Sequence, residues 1–345
     1  MKAAVLTGLR QIESQERPDP EIREETDVLL KIERVGVCGS DVHYFETGRI
    51  GSQVIAYPFV VGHECAGVVQ AVGRGVTRVS PGDRVAVDPA IWCGTCDQCR
   101  AGREHTCRNL LFLGCPGQVA GCLCEQIVMP ESSCFILPEG LTMDQGVLAE
   151  PLAISMYAVQ QSGVGPGQTI GILGSGPIGL GCLIAAQAQG VQQCFVTERI
   201  AERLEMARNR QAAWVGNPDR EDVVGAVLSQ CPDGLDVVFE CAGQQETIDQ
   251  AIAMLKPGGR LMLIGITRTD TITVPIHTLR RKELGLINVR RQNQCTQKAL
   301  DAMESGQIDA DFMVTHRFDL AQCQYAFEWV EAYRDGVVKA MIDLK

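Results

Sequence analysis

The strongest constraint on the fold is Gly174-Ser175-Gly176-Pro177-Ile178-Gly179, which follows the apolar run Thr169-Ile170-Gly171-Ile172-Leu173 directly and opens an apolar helical stretch from Leu180 to Gln189. A strand that turns on glycines into a helix is a phosphate cradle. Gly174 permits the tight turn, Gly176 lets the backbone approach a pyrophosphate, and Gly179 allows the helix to lie close to the sheet. The next strand, Cys194-Phe195-Val196-Thr197, ends in Glu198, where an acid would accept hydrogen bonds from adenosine ribose hydroxyls. A carboxylate there repels a 2′-phosphate, so NAD is favoured over NADP.

Beyond Glu198 the alternation continues. Helices are expected from about Ala201 to Arg210, Arg220 to Ser229 and Gln245 to Leu255. Strands are expected near Ala213-Trp214-Val215, at Leu235 to Glu240 and at Arg260 to Gly265. Repeated β-then-α units of this length imply a doubly wound parallel sheet in an α/β protein, with its ligand at the carboxyl ends of the strands.

Residues 1 to about 150 read differently. Lys2–Leu6, Asp27–Ile32, Ala66–Gly73 and Asp83–Val87 are short apolar runs separated by turns such as Ser80-Pro81-Gly82-Asp83, the pattern of a mostly β domain. After Val289 come a helix from Cys295 to Ser305, a strand at Met313–Phe318, a helix from Leu320 to Tyr333 and a last strand from Val337 to Leu344. This tail is too small to stand alone, so it is expected to return to the first domain. The expected division is 1–153 with 289–345, and 154–288.

At 345 residues the chain suits two domains, and its 21% charged residues with 46% hydrophobic ones are those of a globular enzyme. A formal charge of −11 argues against a nucleic-acid surface. No run approaches the roughly 18 apolar residues of a membrane span, and the first residues lack a secretory pattern, so a cytoplasmic address is expected. Sixteen cysteines then point to metal binding where they cluster, rather than to a disulfide framework. Scattered ones, such as Cys182, Cys194, Cys231 and Cys241, read as small core residues.

Two clusters stand out. Cys93, Cys96, Cys99 and Cys107 place four thiols within fifteen residues, with Gly94 and Gly102 allowing tight turns. Four thiolates close a tetrahedral Zn2+ site to substrate, so this site is expected to be structural. A redox Cys-x-x-Cys is the competing reading, and the fourth cysteine argues against it. The second cluster runs from Val37 to Glu64 and contains Cys38, Ser40, His43, His63 and Glu64. Its mixture of sulfur, nitrogen and carboxylate donors suits a catalytic zinc with an open position. Cys38 and His63 are the leading ligands, and Glu64 or the distant Glu150 completes the set. The plain alternative is a buried cysteine beside a core histidine. Glu150 stands in the apolar run Leu148–Ala153 and reads as a metal ligand, a neighbour of one, or a helix-start residue ahead of Pro151.

Gly62-His63-Glu64, the four-cysteine lobe and the Gly174–Gly179 stretch together resemble the zinc-dependent medium-chain dehydrogenase/reductase superfamily over essentially the whole chain. Cys38–Tyr44, Gly48-Arg49-Ile50-Gly51, Glu150-Pro151-Leu152 and Thr315-His316-Arg317-Phe318 are similar to its sorbitol (L-iditol) and xylitol dehydrogenase branch. The resemblance implies a GroES-like catalytic domain, a Rossmann domain, two Zn2+ per chain, NAD, and a homotetramer, with a homodimer as the alternative. It makes Cys38, His63 and Glu64 the catalytic zinc ligands, with Glu150 ligating directly or through water. Ser40 and His43 match proton-transfer or substrate positions, and His43 also reads as a cofactor or packing contact. Tyr44, Phe59 and Arg290 match the polyol pocket, and Pro177, Ile178 and Arg203 join the three glycines and Glu198 on the cofactor. Two departures stand out. Arg291 occupies a position that is often Tyr in polyol dehydrogenases, and the four-cysteine lobe is a feature of bacterial members more than animal ones.

The implied reaction is oxidation of a polyol to a ketose. Zinc acts as the Lewis acid and NAD takes the hydride. L-Threonine and 2,3-butanediol are the competing substrates. A zinc-free reductase and a non-catalytic NAD-binding or structural protein are the readings from other classes.

Overall fold

The structure is a computed structural model that describes residues 1–344. It divides into two compact units. One comprises Met1–Glu150, Thr296–Gly306 and Ala310–Lys345, and the other Pro151–Cys295 and Gln307–Asp309.

The first unit is built on a seven-stranded sheet. Its order is Cys134–Ile136, Arg84–Val87, Glu64–Val72, Asp27–Gly36, Lys339–Asp343 and Val314–Asp319, with Gln126–Pro130 also pairing with Asp27–Gly36. The strand Asp27–Gly36 shows why it forms: Val28, Leu30 and Ile32 are buried while the residues between them are not, the period of two that a half-buried strand requires. These side chains join Leu6, Val35, Phe45, Val61, Met129, Phe327 and Ile342 in one apolar core. The C-terminal tail does return: Met341 and Ile342 pair antiparallel with Gly36 and Val35. That register sets Lys339 beside the end of Asp27–Gly36, a placement used by the site below.

The second unit carries a six-stranded parallel sheet in the order Trp214–Gly216, Gln193–Thr197, Thr169–Leu173, Leu235–Glu240, Leu255–Leu263, Gly285–Asn288. The order reverses between Thr169–Leu173 and Leu235–Glu240, which is where a doubly wound sheet opens its ligand crevice. The glycine-rich turn leaves the first of these strands and enters the helix Pro177–Ala188, with Pro177 at the first helical position that proline's fixed φ suits.

Several local expectations are corrected. The strand expected to begin at Arg260 extends back to Leu255 across a bulge: the register jumps from Leu235–Leu255 to Val237–Arg260, Gly258 takes φ +77°, and continuous pairing with Leu235–Glu240 starts at Arg260. The helix Ile276–Lys282 and the edge strand Gly285–Asn288 went unread. The helix expected over Leu320–Tyr333 is a 3-10 turn followed by Cys323–Glu331. Pro151 does not start a helix: it lies inside Met143–Ser162, which excludes Glu150 as a helix-start residue. All sixteen cysteines stand as thiols. Cys182 and Cys194 are buried as expected, whereas Cys231 and Cys241 are only half-buried. Among the described residues, no helix is long and apolar enough to cross a membrane.

Candidate metal centre and dinucleotide loop

Cys38 immediately precedes the helix Gly39–Thr47, and His63 and Glu64 lie at the start of the strand Glu64–Val72. Strand and helix bring one ligand atom from each of Cys38, His63 and Glu64 within 4.8 Å of one another. A soft thiolate, an imidazole and a carboxylate in one buried spot match the donor chemistry of Zn2+. Glu150 lies outside that set. It is buried, its Oε2 has no hydrogen-bond partner, and its carboxyl is pushed up to about 8, chiefly by burial. His63 pulls it down and Glu64 and Asp88 push it up.

Three neighbours hold these groups in place. Asp41 is buried one turn from Cys38. Its Oδ1 accepts from the Gly62 backbone at 3.1 Å and sits 3.3 Å from His63 Nδ1. That contact engages Nδ1 and leaves Nε2 available to a metal, an arrangement like that which orients metal-binding histidines elsewhere. Burial opposes charge on His63, yet Asp41 and Cys38 raise it well above the ordinary histidine range, so this pocket favours a cation. Ser40 donates from Oγ to Cys38 Sγ at 3.3 Å. Lys339, 1% exposed, donates to both Glu64 oxygens at 2.8 and 2.6 Å and reaches the Val37 carbonyl at 3.4 Å. A side chain on Gly36 would strike Glu64 Oε2, so the glycine makes room for the carboxylate.

Sequence reading missed Asp41 and Lys339. The short spacing from Cys38 to Asp41 was a usable signal for the first. Nothing local marks Lys339, which is 275 residues from its partner.

The four-cysteine lobe forms as a second set, with Cys93, Cys96, Cys99 and Cys107 sulfurs within 4.8 Å of one another. Cys96 lies 3.5 Å from Cys99 and Cys107 3.5 Å from Cys93. Gly94 and Gly102 both take positive φ, which lets the loop close around the sulfurs. Backbone N–H groups point at sulfur, from Cys93 to Cys107 at 3.3 Å and from Asn109 to Cys107 at 3.4 Å. Hydrogen bonds led by the Thr95 backbone hold the Cys93 thiol down to about 5, whereas burial pushes Cys99 upward. Thiols gathered this tightly and supplied with N–H donors fit a tetrahedral cation with no open position.

In the second unit Gly174 has φ +94°, and a side chain on Gly179 would overlap the Gly174 carbonyl. The cradle therefore exists only with these glycines. Ile178 lies in the first turn of the helix, where its carbonyl accepts from Ser155 Oγ at 3.0 Å. Glu198 follows its strand as expected. Its Oε2 accepts from the Ser175 backbone at 2.8 Å, and its Oε1 from the backbones of Arg199 and Ile200 at 2.8 and 3.1 Å. Arg203 is buried, and its guanidinium lies 3.5 Å from where a Gly176 side chain would begin. At the carboxyl ends of the last three strands a cavity of about 340 Å³ is lined by Glu240, Leu263, Gly265, Ile266, Asn288 and Val289 among others. Glu240, also missed in the sequence, accepts there from the Ala242 and Gly243 backbones and Thr247 Oγ1.

The expected substrate residues are distributed. His43 and Tyr44 share the helix Gly39–Thr47. The Thr47 hydroxyl donates to the His43 carbonyl at 2.8 Å, and the buried Tyr44 hydroxyl donates to Gln53 Oε1 at 3.1 Å. Phe59 packs against the first core and exchanges backbone hydrogen bonds with Leu6. These three belong to the first unit, and Arg290, exposed just after the strand Gly285–Asn288, belongs to the second.

Two family models match this chain: the alcohol dehydrogenase GroES-like domain over residues 24–139 and the zinc-binding dehydrogenase domain over residues 177–305. Sorbitol dehydrogenase of Bacillus subtilis (strain 168) is 34% identical over 343 residues, covering 99% of this chain and 97% of that protein. L-Idonate 5-dehydrogenase of Vitis vinifera is 34% identical over 349 residues, covering 99% of this chain and 94% of that protein. A candidate zinc-binding dehydrogenase from Sinorhizobium meliloti 1021, solved with NADP bound, superposes with a TM-score of 0.90 at 30% identity and covers 99% of each chain.

Proposed function

The chain belongs to the zinc-dependent medium-chain dehydrogenase/reductase superfamily and is an oxidoreductase, and from that premise we propose that it passes hydride from a secondary hydroxyl of a polyol or sugar alcohol to NAD, giving a ketose. One observation carries the reading: the Cys38, His63 and Glu64 set lies in a chain that is 34% identical to a sorbitol dehydrogenase along nearly its whole length.

In this reading Cys38, His63 and Glu64 hold a catalytic zinc with Glu150 adjoining, and Cys93, Cys96, Cys99 and Cys107 hold a structural one. When bound, the catalytic ion supplies a Lewis acid to the alcohol. The protein's own part is positioning. Asp41 fixes the His63 ring through Nδ1, and Lys339 fixes the Glu64 carboxylate through both oxygens. Ser40, His43 and the unpartnered Oε2 of Glu150 serve the proton that leaves with oxidation, a task that needs hydrogen-bond reach. The glycine cradle receives the pyrophosphate, Arg203 stands against it, and Glu198 takes the adenosine ribose hydroxyls. Tyr44, Phe59 and Arg290 contact the polyol. A homotetramer in the cytoplasm completes the proposal.

The test is catalytic efficiency with NAD on sorbitol, xylitol, L-threonine and 2,3-butanediol, repeated with Arg290→Ala. A polyol is expected to lead. Simple alkanols should fall behind by up to about 10⁴-fold, because they leave the pocket's polar groups unpaired. If threonine or butanediol exceeds every polyol, the substrate assignment is wrong while the oxidoreductase chemistry stands.

A further inference from the structure

Arg199 directly follows Glu198, and a guanidinium at that point is the group a 2′-phosphate would seek. The surrounding chain binds it otherwise. Arg199 Nε donates to Asp219 Oδ2 at 2.8 Å, across twenty residues of sequence. An isolated surface pair of this kind contributes little, but this one is held from behind. Asn217 is buried, 7% exposed, and its amide spans both partners. Nδ2 donates to the Arg199 carbonyl at 2.8 Å and Oδ1 accepts from the Asp219 backbone at 2.9 Å. Glu198 is fixed just as firmly, by the backbones of Ser175, Arg199 and Ile200. The strand end therefore presents two anchored carboxylates around one guanidinium, a net negative charge.

We propose that Asp219, seated by Asn217, is a coenzyme-specificity residue that keeps Arg199 engaged and makes this strand end repel a ribose 2′-phosphate. The proposal rests on the reading of Glu198 as the adenosine-ribose partner. Glu198 alone would face an adjacent cation able to offset it; Asp219 removes that offset. A third polar partner on the turn after Trp214–Gly216 thus decides what the motif residue decides only in part.

The probes are AMP and adenosine 2′,5′-bisphosphate, which differ only in the 2′-phosphate, titrated calorimetrically into the full-length protein, Asp219→Asn and Asp309→Asn. Asp309 pairs with Arg210 at 2.9 Å and serves as the control for a lost surface carboxylate. Wild type is expected to prefer AMP. Asp219→Asn should tighten the bisphosphate about five- to tenfold, the order Coulomb's law gives for one charge near a phosphate in water, with AMP held within about twofold. Asp309→Asn should change neither. If wild type prefers AMP and Asp219→Asn leaves the ratio unmoved, or Asp309→Asn moves it equally, the Asp219 proposal is overturned and the NAD reading stands. A wild type that prefers the bisphosphate overturns both.

Discussion

Replacing Lys339 by Met removes one ammonium and almost no volume, so its effect isolates the charge. Lys339 and Glu64 are each 1% exposed, and the ammonium bonds both carboxylate oxygens at 2.6 and 2.8 Å. With the lysine gone, Glu64 stays buried and loses the ammonium that bonds both of its oxygens, and breaking a buried pair in this way costs about 3–5 kcal/mol. Glu64→Gln strands the ammonium in the same way and should cost a similar amount. The double variant has neither stranded charge, so its loss should fall short of the sum by at least about 2 kcal/mol. Urea unfolding of the metal-free protein measures all four corners of this cycle, with the midpoint read at constant slope. Zinc-loaded protein should lose less on Lys339→Met, since the cation then answers the carboxylate. A Lys339→Met loss below about 1 kcal/mol, or single losses that simply add, would refute the claim that this pair holds Glu64 in place.

Purified protein is expected to contain two zinc ions per chain by emission spectroscopy, and Cys96→Ser one, because the two ligand sets share no residue; a wild-type value of one rules out one of the sites. Asp236 supplies the pH test. Burial works against its charge, but Lys256, the Thr169 backbone and hydroxyl, and Gln168 hold it down to about 2, below the ordinary 3.8. A folded-state pKa below the unfolded one adds stability that is complete above about pH 5 and disappears as pH falls toward 2. Asp236→Asn should therefore cost roughly 1–2 kcal/mol at pH 7 and clearly less at pH 3, by urea unfolding at both; an equal loss at the two pH values would exclude the ionised carboxylate as the cause.

What the sequence determined by itself is what is encoded locally. The turn from Leu173 through Gly179, the acid at Glu198 and the four cysteines from Cys93 to Cys107 each lie within a few dozen residues. Their chemistry depends on spacing that no distant contact can alter: a glycine turn needs positive φ, and a tetrahedral set needs short loops. The same holds for the alternation of Val28, Leu30 and Ile32, whose period of two survives in the sheet. Tertiary structure decided the rest, because pairing and burial act between segments remote in the chain. Pro151 reads as a boundary, yet it lies inside the helix Met143–Ser162, where packing outweighs the missing N–H. Leu255 lies before the strand expected from Arg260, yet it pairs with Leu235 across a bulge at Pro257-Gly258-Gly259, a contact only the neighbouring strand supplies. Lys339 falls in the expected last strand from Val337 to Leu344, where nothing local marks it. Only the pairing of Lys339–Asp343 with Asp27–Gly36 buries it against Glu64, where low dielectric turns an ordinary charge into the group that holds that carboxylate.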